Sequence, residues 1–351
     1  MNETKTTPRQ NFVLNLINQS EGLSRQKIQA EVGKFYAVSK PTLIRDLNLL
    51  SKRRLITTTG WARKTEYHPF FRNPLLRPFD LDRYFQEEPD KRLAARRRFD
   101  FNVFNHLRGL LTPQDLTFLE KTGRDFEKQT RQLPPDILRR ELERFVIELS
   151  WKSSKIEGNT YTLLETEALL KEHKTAAGKS RDETQMILNH KTAFEELSKN
   201  RKDFRKVSVP AINQLHNLLV KGLGISVGLR KRAVGITGTV YVPLDNEFQI
   251  REAFEKTVQA INESVNPFEK ALIAHVMVPY VQPYADGNKR TGRMLTNAIL
   301  LAHNLYPLSY RSVDEEEFKK SLILFYEQES LFHVKRLFIE QIKFANENYF
   351  L

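Results

Sequence analysis

The spacing of hydrophobic residues at the start of the chain predicts three short helices. Residues 9–19 have apolar side chains at three- and four-residue steps, at Phe12, Val13, Leu16 and Ile17. Ser24 is the expected N-cap of a second helix that ends at Gly33. Ser39 is the expected N-cap of a third helix, and Pro41 lies in its first turn, where proline is tolerated.

After these helices the pattern changes to a β-rich stretch on both sides of Gly60, which predicts two paired strands. Three short helices followed by a hairpin are typical of a winged helix-turn-helix domain, which we expect over residues 1–67. Residues 38–56, VSKPTLIRDLNLLSKRRLI, are similar to the winged helices of bacterial repressors.

Positive charge is concentrated in this first domain. The chain has a formal net charge of +13 at pH 7, and residues 1–66 contain twelve Lys/Arg against five Asp/Glu. This excess favours DNA as a partner; the alternatives are a winged helix that contacts proteins and a merely soluble basic domain. The expected DNA-binding residues, at the start of the third helix and then on the hairpin, are Ser39, Lys40, Thr42 and Arg45, followed by Arg63 and Lys64.

Residues 68–132 are predicted to form a helical connector packed on the next domain. Its basic run, Arg96–Arg98, is interpreted as a solvated helix face. The chain has no cysteine, which excludes disulfides and thiolate metal sites, and no His, Asp and Glu cluster has zinc spacing. No apolar run approaches the roughly 20 residues that cross a bilayer, and the polar N-terminus lacks the core of a signal peptide. We therefore expect a cytoplasmic protein without membrane contact.

Helical patterns dominate from about Phe101 onward, but residues 282–293, QPYADGNKRTGR, interrupt them; we call these the signature segment. Small polar residues that lead into a helix suit an anion, because backbone N–H groups and the helix dipole point at it. Arg290 and Arg293 lie three positions apart on one helix face, where two guanidinium groups can hold adjacent phosphates. Asp286 is placed to ligate a Mg²⁺ ion that bridges those phosphates.

The signature segment resembles that of the Fic family, His-Pro-Phe-x-Asp-Gly-Asn-Gly-Arg-x-x-Arg, with matches at Pro283, Asp286, Gly287, Asn288, Arg290 and Arg293. Family members typically transfer AMP from ATP to a protein hydroxyl. The resemblance implies that Asp286 holds Mg²⁺ and that Arg293 grips the γ-phosphate of ATP. The expected nucleotide-binding residues are Gly287, Asn288, Lys289, Arg290, Gly292 and Arg293.

Two upstream segments extend the resemblance. Residues 228–230 and 235–243 are similar to the family's strand flap, which aligns the target; its expected site residues are Ile236, Thr237, Gly238 and Tyr241. Residues 153–158 match the family's inhibitory motif through Ser153, Glu157 and Gly158.

Independently of the resemblance, apolar residues at helical spacing before position 157 place Glu157 on the buried side of a helix. A buried carboxylate needs a cationic partner or it protonates. The resemblance nominates Arg293, and this ion pair would fill the position of the γ-phosphate. An exposed glutamate at a helix end is the alternative.

The signature segment departs from the family pattern at three positions. Gln282 replaces the histidine that serves as general base, and a neutral amide cannot accept a proton near pH 7. Because general-base catalysis contributes about 10²–10⁴-fold, transfer is expected to be weak rather than absent. Tyr284 keeps an aromatic ring in place of phenylalanine. Lys289 replaces the second glycine, as in the related Doc toxins, which phosphorylate their target, so the phosphate chemistry is left open.

The predicted fold is mainly α: a winged helix at residues 1–67, the connector at 68–132, a helical Fic fold with a short β-hairpin flap at 133–306, and a helical extension at 307–351. One hypothesis is an adenylyltransferase-like enzyme that binds ATP and Mg²⁺, modifies a protein target and is inhibited by Glu157. The alternative is a non-catalytic, nucleotide-responsive transcriptional regulator that binds DNA. A homodimer is expected under either hypothesis.

Overall fold

A computed structural model gives the three-dimensional structure of this chain. It describes residues 6–18, 20, 22–59, 65–70, 73–92 and 94–351. The chain divides into two compact units, residues 1–80 and residues 81–351. The domain boundaries that we expected at residues 67, 132 and 306 stay predictions.

The first unit contains three helices and a small sheet. The helices are α1 (Pro8–Asn18), α2 (Arg25–Gly33) and α3 (Lys40–Lys52), and the strands are β1 (Leu23–Ser24), β2 (Ile56–Thr59) and β3 (Glu66–Pro69). The sheet is antiparallel with the order β1-β3-β2. The predicted caps are confirmed, because Ser24 accepts a hydrogen bond from the backbone of Lys27 and Ser39 accepts one from Thr42.

The core of the first unit is the apolar stripe that the sequence pattern located. Val13 and Ile17 of α1 are fully buried with Leu43 and Leu47 of α3. One charged residue shares this interior: the carboxylate of Asp46 accepts hydrogen bonds from Arg9 Nε at 2.7 Å and Gln10 Nε2 at 2.8 Å. Since a buried charge must be paired, these contacts fix α1 against α3.

The second unit is built almost entirely from helices. In chain order these are α4 (Leu81–Tyr84), α5 (Pro113–Gln132), α6 (Pro135–Ile156), α7 (Leu163–Glu172), α8 (Arg181–Lys199), α9 (Val209–Val220), α10 (Glu247–Glu263), α11 (Pro267–Val281), α12 (Asn288–Ala302), α13 (Glu315–Gln328) and α14 (Phe332–Asn348). None of the helices in the described parts of the chain is long and apolar enough to cross a membrane.

Helices α11 and α12 form the centre of the second unit. They pack closely on each other, and α6, α8, α9, α10, α13 and α14 surround them. Gly292 makes this approach possible: a Cβ atom there would lie 3.1 Å from Pro279 Cδ and 3.3 Å from the carbonyl oxygen of His275. Gly292 therefore serves the contact between the two helices, and its expected place among the nucleotide-binding residues stays a prediction.

The predicted hairpin flap does not form in this structure. Residues 235–243, the flap segment, contain no paired hairpin strands, and the β-type pairing described here is one isolated parallel bridge between Val242 and Arg98. A backbone group of the segment finds its hydrogen-bond partner outside the segment, since the N–H of Val242 donates to the carbonyl of Arg97 at 3.0 Å. The interpretation of Arg96–Arg98 as a solvated helix face was wrong, because this run is not helical. Arg98 instead forms the bridge with Val242 of the flap segment.

A buried carboxylate on α13 also holds the flap segment. Glu327 is completely buried and accepts hydrogen bonds from Thr239 Oγ1 at 2.7 Å, Val240 N at 3.4 Å and Tyr84 OH at 2.8 Å. Arg92 neutralises it at 3.1 Å and donates to the carbonyl of Gly238 at 3.0 Å. Glu327 thus joins three stretches that are far apart in the sequence.

Candidate functional site

Two left-handed backbone positions shape the loop between α11 and α12. Gln282 ends α11 with φ 51°, and Gly287 precedes α12 with φ 81°. A side chain at position 287 would also collide with Val220, since its Cβ would lie 2.9 Å from Cγ1 of that residue. Glycine is therefore required there by the backbone and by space. The loop places the N-terminus of α12 at the centre of the site.

The side chain of Gln282 is fully engaged in closing this loop. Its Nε2 donates to the carbonyl of Pro279 at 2.7 Å, and its Oε1 accepts from Asn288 Nδ2 at 2.7 Å. Asn288 also holds both backbone groups of Tyr284, with its Oδ1 accepting from N and its Nδ2 donating to O, each at 2.9 Å. The amide at position 282 therefore braces the loop and offers no basic nitrogen.

Arg230 fastens the loop to the chain around the flap segment. Its Nε donates to the carbonyl of Gln282 at 2.6 Å, and its backbone N–H donates to the carbonyl of Pro283 at 3.0 Å. Its other guanidinium nitrogens donate to the carbonyls of Arg232 and Leu244. Arg230 lies within the segment that resembles the family's flap, but this role is not predictable from the sequence, because the bonds join carbonyls that have no sequence signature.

A stacked pair of rings supports the other side of the loop. The imidazole of His216 lies parallel to the ring of Tyr284, with centroids 3.7 Å apart, and its Nε2 donates to the carbonyl of Asp286 at 3.0 Å. Burial lowers the pKa of His216, so the ring is neutral at pH 7. No sequence pattern points to this residue, since a lone histidine on an apolar helix face is an ordinary core residue.

The two signature residues Asp286 and Arg290 pair with each other. Arg290 Nη2 lies 3.2 Å from Asp286 Oδ2, and Arg290 Nη1 donates to the carbonyl of Leu219 at 3.5 Å. The Asp286 side chain remains 68% exposed although its Oδ1 also accepts from the N–H of Gly287 at 2.6 Å. One accessible carboxylate beside a cationic helix start fits a Mg²⁺ ion that takes its other ligands from phosphate and water.

Arg293 meets Glu157 on the next turn of α12. Arg293 Nη2 lies 2.9 Å from Glu157 Oε1, and the guanidinium also donates to Ser153, from Nε to Oγ at 3.0 Å and from Nη2 to the carbonyl at 2.9 Å. The Nη1 of Arg293 is buried and has no hydrogen-bond partner among the described residues. Helix α6 ends at Ile156, immediately before Glu157, so the helix end carries the carboxylate to α12.

Ser153 is held in place by His190. The Nδ1 of His190 donates to the carbonyl of Met186 at 2.8 Å, which leaves Nε2 to accept from Ser153 Oγ at 2.8 Å. Burial is the main reason that the pKa of His190 falls to about 3, so this arrangement holds throughout the neutral range. His190 therefore orients Ser153, which in turn orients Arg293.

Lys289 is the partner of Glu157 that the sequence did not reveal. Its Nζ lies 3.1 Å from Glu157 Oε2, while Arg293 takes Oε1. Burial by itself would raise the pKa of Glu157, but the charges of Arg293 and Lys289, with their hydrogen bonds, hold it at about 2. The carboxylate is therefore ionised at pH 7, and it fills the space beside both cations.

His275 takes no part in this arrangement. It is buried on α11 with its ring parallel to that of Tyr310, and burial is the main cause that lowers its pKa to about 3. A neutral ring packed among aromatic residues cannot replace the base that position 282 lacks.

The expected flap residues do not all lie at the loop between α11 and α12. Tyr241 is buried, and its hydroxyl donates to the carbonyl of Tyr280 at 2.8 Å, so it packs in the core. Thr237 and Gly238 are exposed, and Ile236 is half-buried.

The expected DNA-binding residues of α3 lie at its N-terminal end. Ser39, Lys40 and Arg45 are exposed and Thr42 is half-buried, with Ser39 Oγ 2.9 Å from Thr42 Oγ1. The other two expected residues, Arg63 and Lys64, lie outside the described residues.

Comparison with known proteins finds a family match within the second unit. Residues 206–300 match the model of the Fic/DOC family. A protein adenylyltransferase Fic from Nematostella vectensis is 26% identical over 212 residues, which are 58% of this chain and 48% of that protein. Protein adenylyltransferase fic-1 from Caenorhabditis elegans is 28% identical over 173 residues, 48% of this chain and 34% of that protein. The chain thus spans about half or less of the length of these relatives.

Solved structures agree at the level of the fold. Fic-1 from C. elegans superimposes with a TM-score of 0.59 at 22% identity, covering 67% of this chain and 72% of that one. A Fic domain containing signaling protein from Bacteroides thetaiotaomicron superimposes with a TM-score of 0.55 at 20% identity, covering 66% and 96%. The signature segment at residues 282–293 lies inside the matched region, and this chain carries a Fic/DOC-family domain.

Proposed function

We propose that the second unit binds ATP at the start of α12 and transfers AMP to a protein hydroxyl, weakly, under inhibition by Glu157. The observation that carries this proposal is the ion pair of 2.9 Å between Glu157 and Arg293. Arginine at this position is the expected γ-phosphate ligand, so a carboxylate bound to it takes the place of a phosphate. The relatives that are named adenylyltransferases support ATP as the substrate.

The site residues support binding more strongly than catalysis. Helix α12 begins at Asn288 after Gly287, its first N–H groups have no acceptor within the helix, and Arg290 adds a buried positive charge. Such a helix start binds phosphate groups, and Asp286 would hold a Mg²⁺ ion that supplies positive charge to neutralise them. In the transfer the target hydroxyl oxygen would bond to the α-phosphorus, pyrophosphate would leave, and the hydroxyl proton would need an acceptor.

That acceptor is missing from position 282. The amide of Gln282 is neutral and both of its ends are hydrogen-bonded. The rate should therefore fall by the contribution of a general base, about 10²–10⁴-fold. Water can take the proton in its place, so slow transfer rather than none is the expected outcome.

Transfer is tested with α-labelled ATP, Mg²⁺ and a cell lysate, comparing wild type with Gln282→His and Glu157→Gly. Label on protein with wild type or Glu157→Gly supports the proposed enzyme. Label with Gln282→His alone shows that the pocket is built for transfer but that this chain does not perform it. No label with any variant, including the combined one, contradicts the proposal.

We also propose that the first unit is a winged helix that binds DNA as a dimer through α3. Three helices and an antiparallel pair of β2 and β3 support this proposal, and the exposed Lys40 and Arg45 add positive charge at the start of α3. In winged helices the N-terminal part of this helix enters the major groove.

DNA binding is tested by selection of random duplexes with the full chain, followed by measurement of affinity with Arg45→Ala at fixed salt. A base contact of arginine is worth about 1–3 kcal/mol, so affinity for a selected site should fall roughly tenfold or more. The matched control is Lys34→Ala, since Lys34 is exposed and pairs within its own helix end with Glu31. Equal losses for both variants would assign only nonspecific attraction to α3.

A further inference from the structure

The carboxylate of Glu157 is divided between two cations on α12. Its Oε1 lies 2.9 Å from Arg293 Nη2, and its Oε2 lies 3.1 Å from Lys289 Nζ. One oxygen therefore faces each cation. If Glu157 leaves this place, both positive charges face the same space without a counter-ion.

The two cations differ in how firmly the protein holds them. Arg293 is 2% exposed and is anchored to Ser153 by two hydrogen bonds. The Lys289 side chain is 31% exposed, and Glu157 is its partner in the described part of the chain. Arg293 is thus held in a fixed position, whereas the Lys289 side chain can move to pair with whichever anion is present.

Arg293 also has one hydrogen-bond donor that is not used. Arg293 Nη1 is buried and has no hydrogen-bond partner among the described residues, and leaving such a group unpaired is costly. A carboxylate with two oxygens cannot satisfy Lys289 and all of the donors of Arg293, whereas a terminal phosphate offers three oxygens and more negative charge.

We propose that Lys289, together with Arg293, holds Glu157 in the site through its ion pair, which we call the lock. When a nucleoside triphosphate enters, Lys289 binds the terminal phosphate in place of this carboxylate. The inference rests on the proposed nucleotide site and deepens it. Lys289 is then a specificity-determining residue: it helps to keep the site closed and, once Glu157 has left, it favours a ligand with a terminal phosphate over a nucleoside monophosphate. A glycine at this position could do neither.

The lock is tested without any ligand, through the melting temperature of the full chain. Lys289→Met removes the charge but keeps an unbranched side chain, and Glu157→Gln keeps the shape of the glutamate. With Glu157 present, Lys289→Met should lower the melting temperature by roughly 2–4 °C. With Gln at position 157, the same change removes one of two unscreened cations and should leave the melting temperature unchanged or raise it.

Lys343→Met is the matched control, because Lys343 is an exposed lysine of α14 whose carboxylate neighbour, Glu347, is 4.0 Å away. It should have the same small effect in both backgrounds. An equal loss on Lys289→Met in both backgrounds would overturn the lock.

The exchange is tested with ATP and AMP as probes, in the Glu157→Gly background, by calorimetry with Mg²⁺. Adding Lys289→Met should weaken ATP binding roughly tenfold, the size expected for one charged hydrogen bond, and leave AMP binding unchanged. Equal effects on both ligands would overturn the assignment to the terminal phosphate. If Glu157→Gly binds no ATP, the proposed site and the exchange both fail, while the melting temperatures still decide whether the lock exists.

Discussion

The side-chain oxygen of Gln282 accepts a hydrogen bond of 2.7 Å from the amide of Asn288. The residue at the position of the expected base is therefore part of the framework that shapes the loop. Its Nε2 bonds to the carbonyl of Pro279 at 2.7 Å, so a histidine could donate from Nδ1 to the same carbonyl and leave Nε2 free to accept a proton.

Gln282→His should for this reason raise AMP transfer by about 10²–10⁴-fold, measured as label from α-labelled ATP in the Glu157→Gly background. The rate should rise with pH through the pKa of the new imidazole, because the neutral form is the base. Gln282→Ala is the control, since it removes both amide bonds without adding a base and should give no gain. A gain with alanine would mean that the amide obstructs the reaction.

Glu157 should remain an effective inhibitor in mildly acidic solution. Its pKa is held at about 2 by Arg293 and Lys289 against the effect of burial. A lowered pKa in the folded state means that the ion pairs stabilise the fold fully above about pH 4.5, the ordinary value, and are lost as the pH falls toward 2.

We therefore expect the ratio of ATP affinities of Glu157→Gly and wild type to exceed one and to stay constant between pH 8 and pH 5, by calorimetry. A ratio that shrinks as the pH falls to 5 would show that the carboxylate protonates in this range. A ratio of one at every pH would remove Glu157 from the inhibition altogether.

Arg290→Ala should abolish ATP binding. Arg290 is buried at the start of α12, and the exposed carboxylate of Asp286 would keep its negative charge without a counter-ion. The loss of a phosphate ligand and the remaining negative charge act in the same direction. Arg251→Ala, a surface variant on α10 that removes an arginine paired with Glu247 at 3.5 Å, should bind ATP as the parent does.

Glu327→Gln should release the flap segment. The substitution removes the buried negative charge that Arg92 neutralises and weakens the acceptor of Thr239 and Val240. Breaking a buried pair costs about 3–5 kcal/mol, so amide exchange of residues 238–242 should accelerate more than that of α12. Uniform acceleration across the second unit would show a general loss of stability instead. Glu340→Gln, at an exposed pair with Arg336 on α14, is the control.

The parts of the site that follow from local rules are predictable from the sequence. The cap at Ser39, the buried face of α6 and the start of α12 beside the signature segment all depend on periodicity and capping within one element. The meeting of Glu157 and Arg293 was expected through the resemblance and through the need of a buried carboxylate for a cation.

The remaining contacts depend on partners that are distant in the chain. Lys289 pairs with Glu157, and Arg230 donates to the carbonyl of Gln282, because the end of α6, the chain before the flap segment and the start of α12 lie close together in the fold. The flap segment has the sequence of a hairpin, but Glu327 and Arg97 supply the hydrogen bonds that the second hairpin strand would otherwise provide. No local pattern distinguishes these two outcomes.

The acceptor for the flap segment comes from a residue that is synthesised much later. Thr239 and Val240 depend on Glu327, which follows them by almost ninety positions. Contacts of such long sequence separation form late, since the intervening chain must first be present and ordered. The signature loop takes its support from His216 and Arg230, which precede it in the chain. We therefore expect this loop to be able to form before α13 is available, whereas the flap segment needs α13 to take its final course.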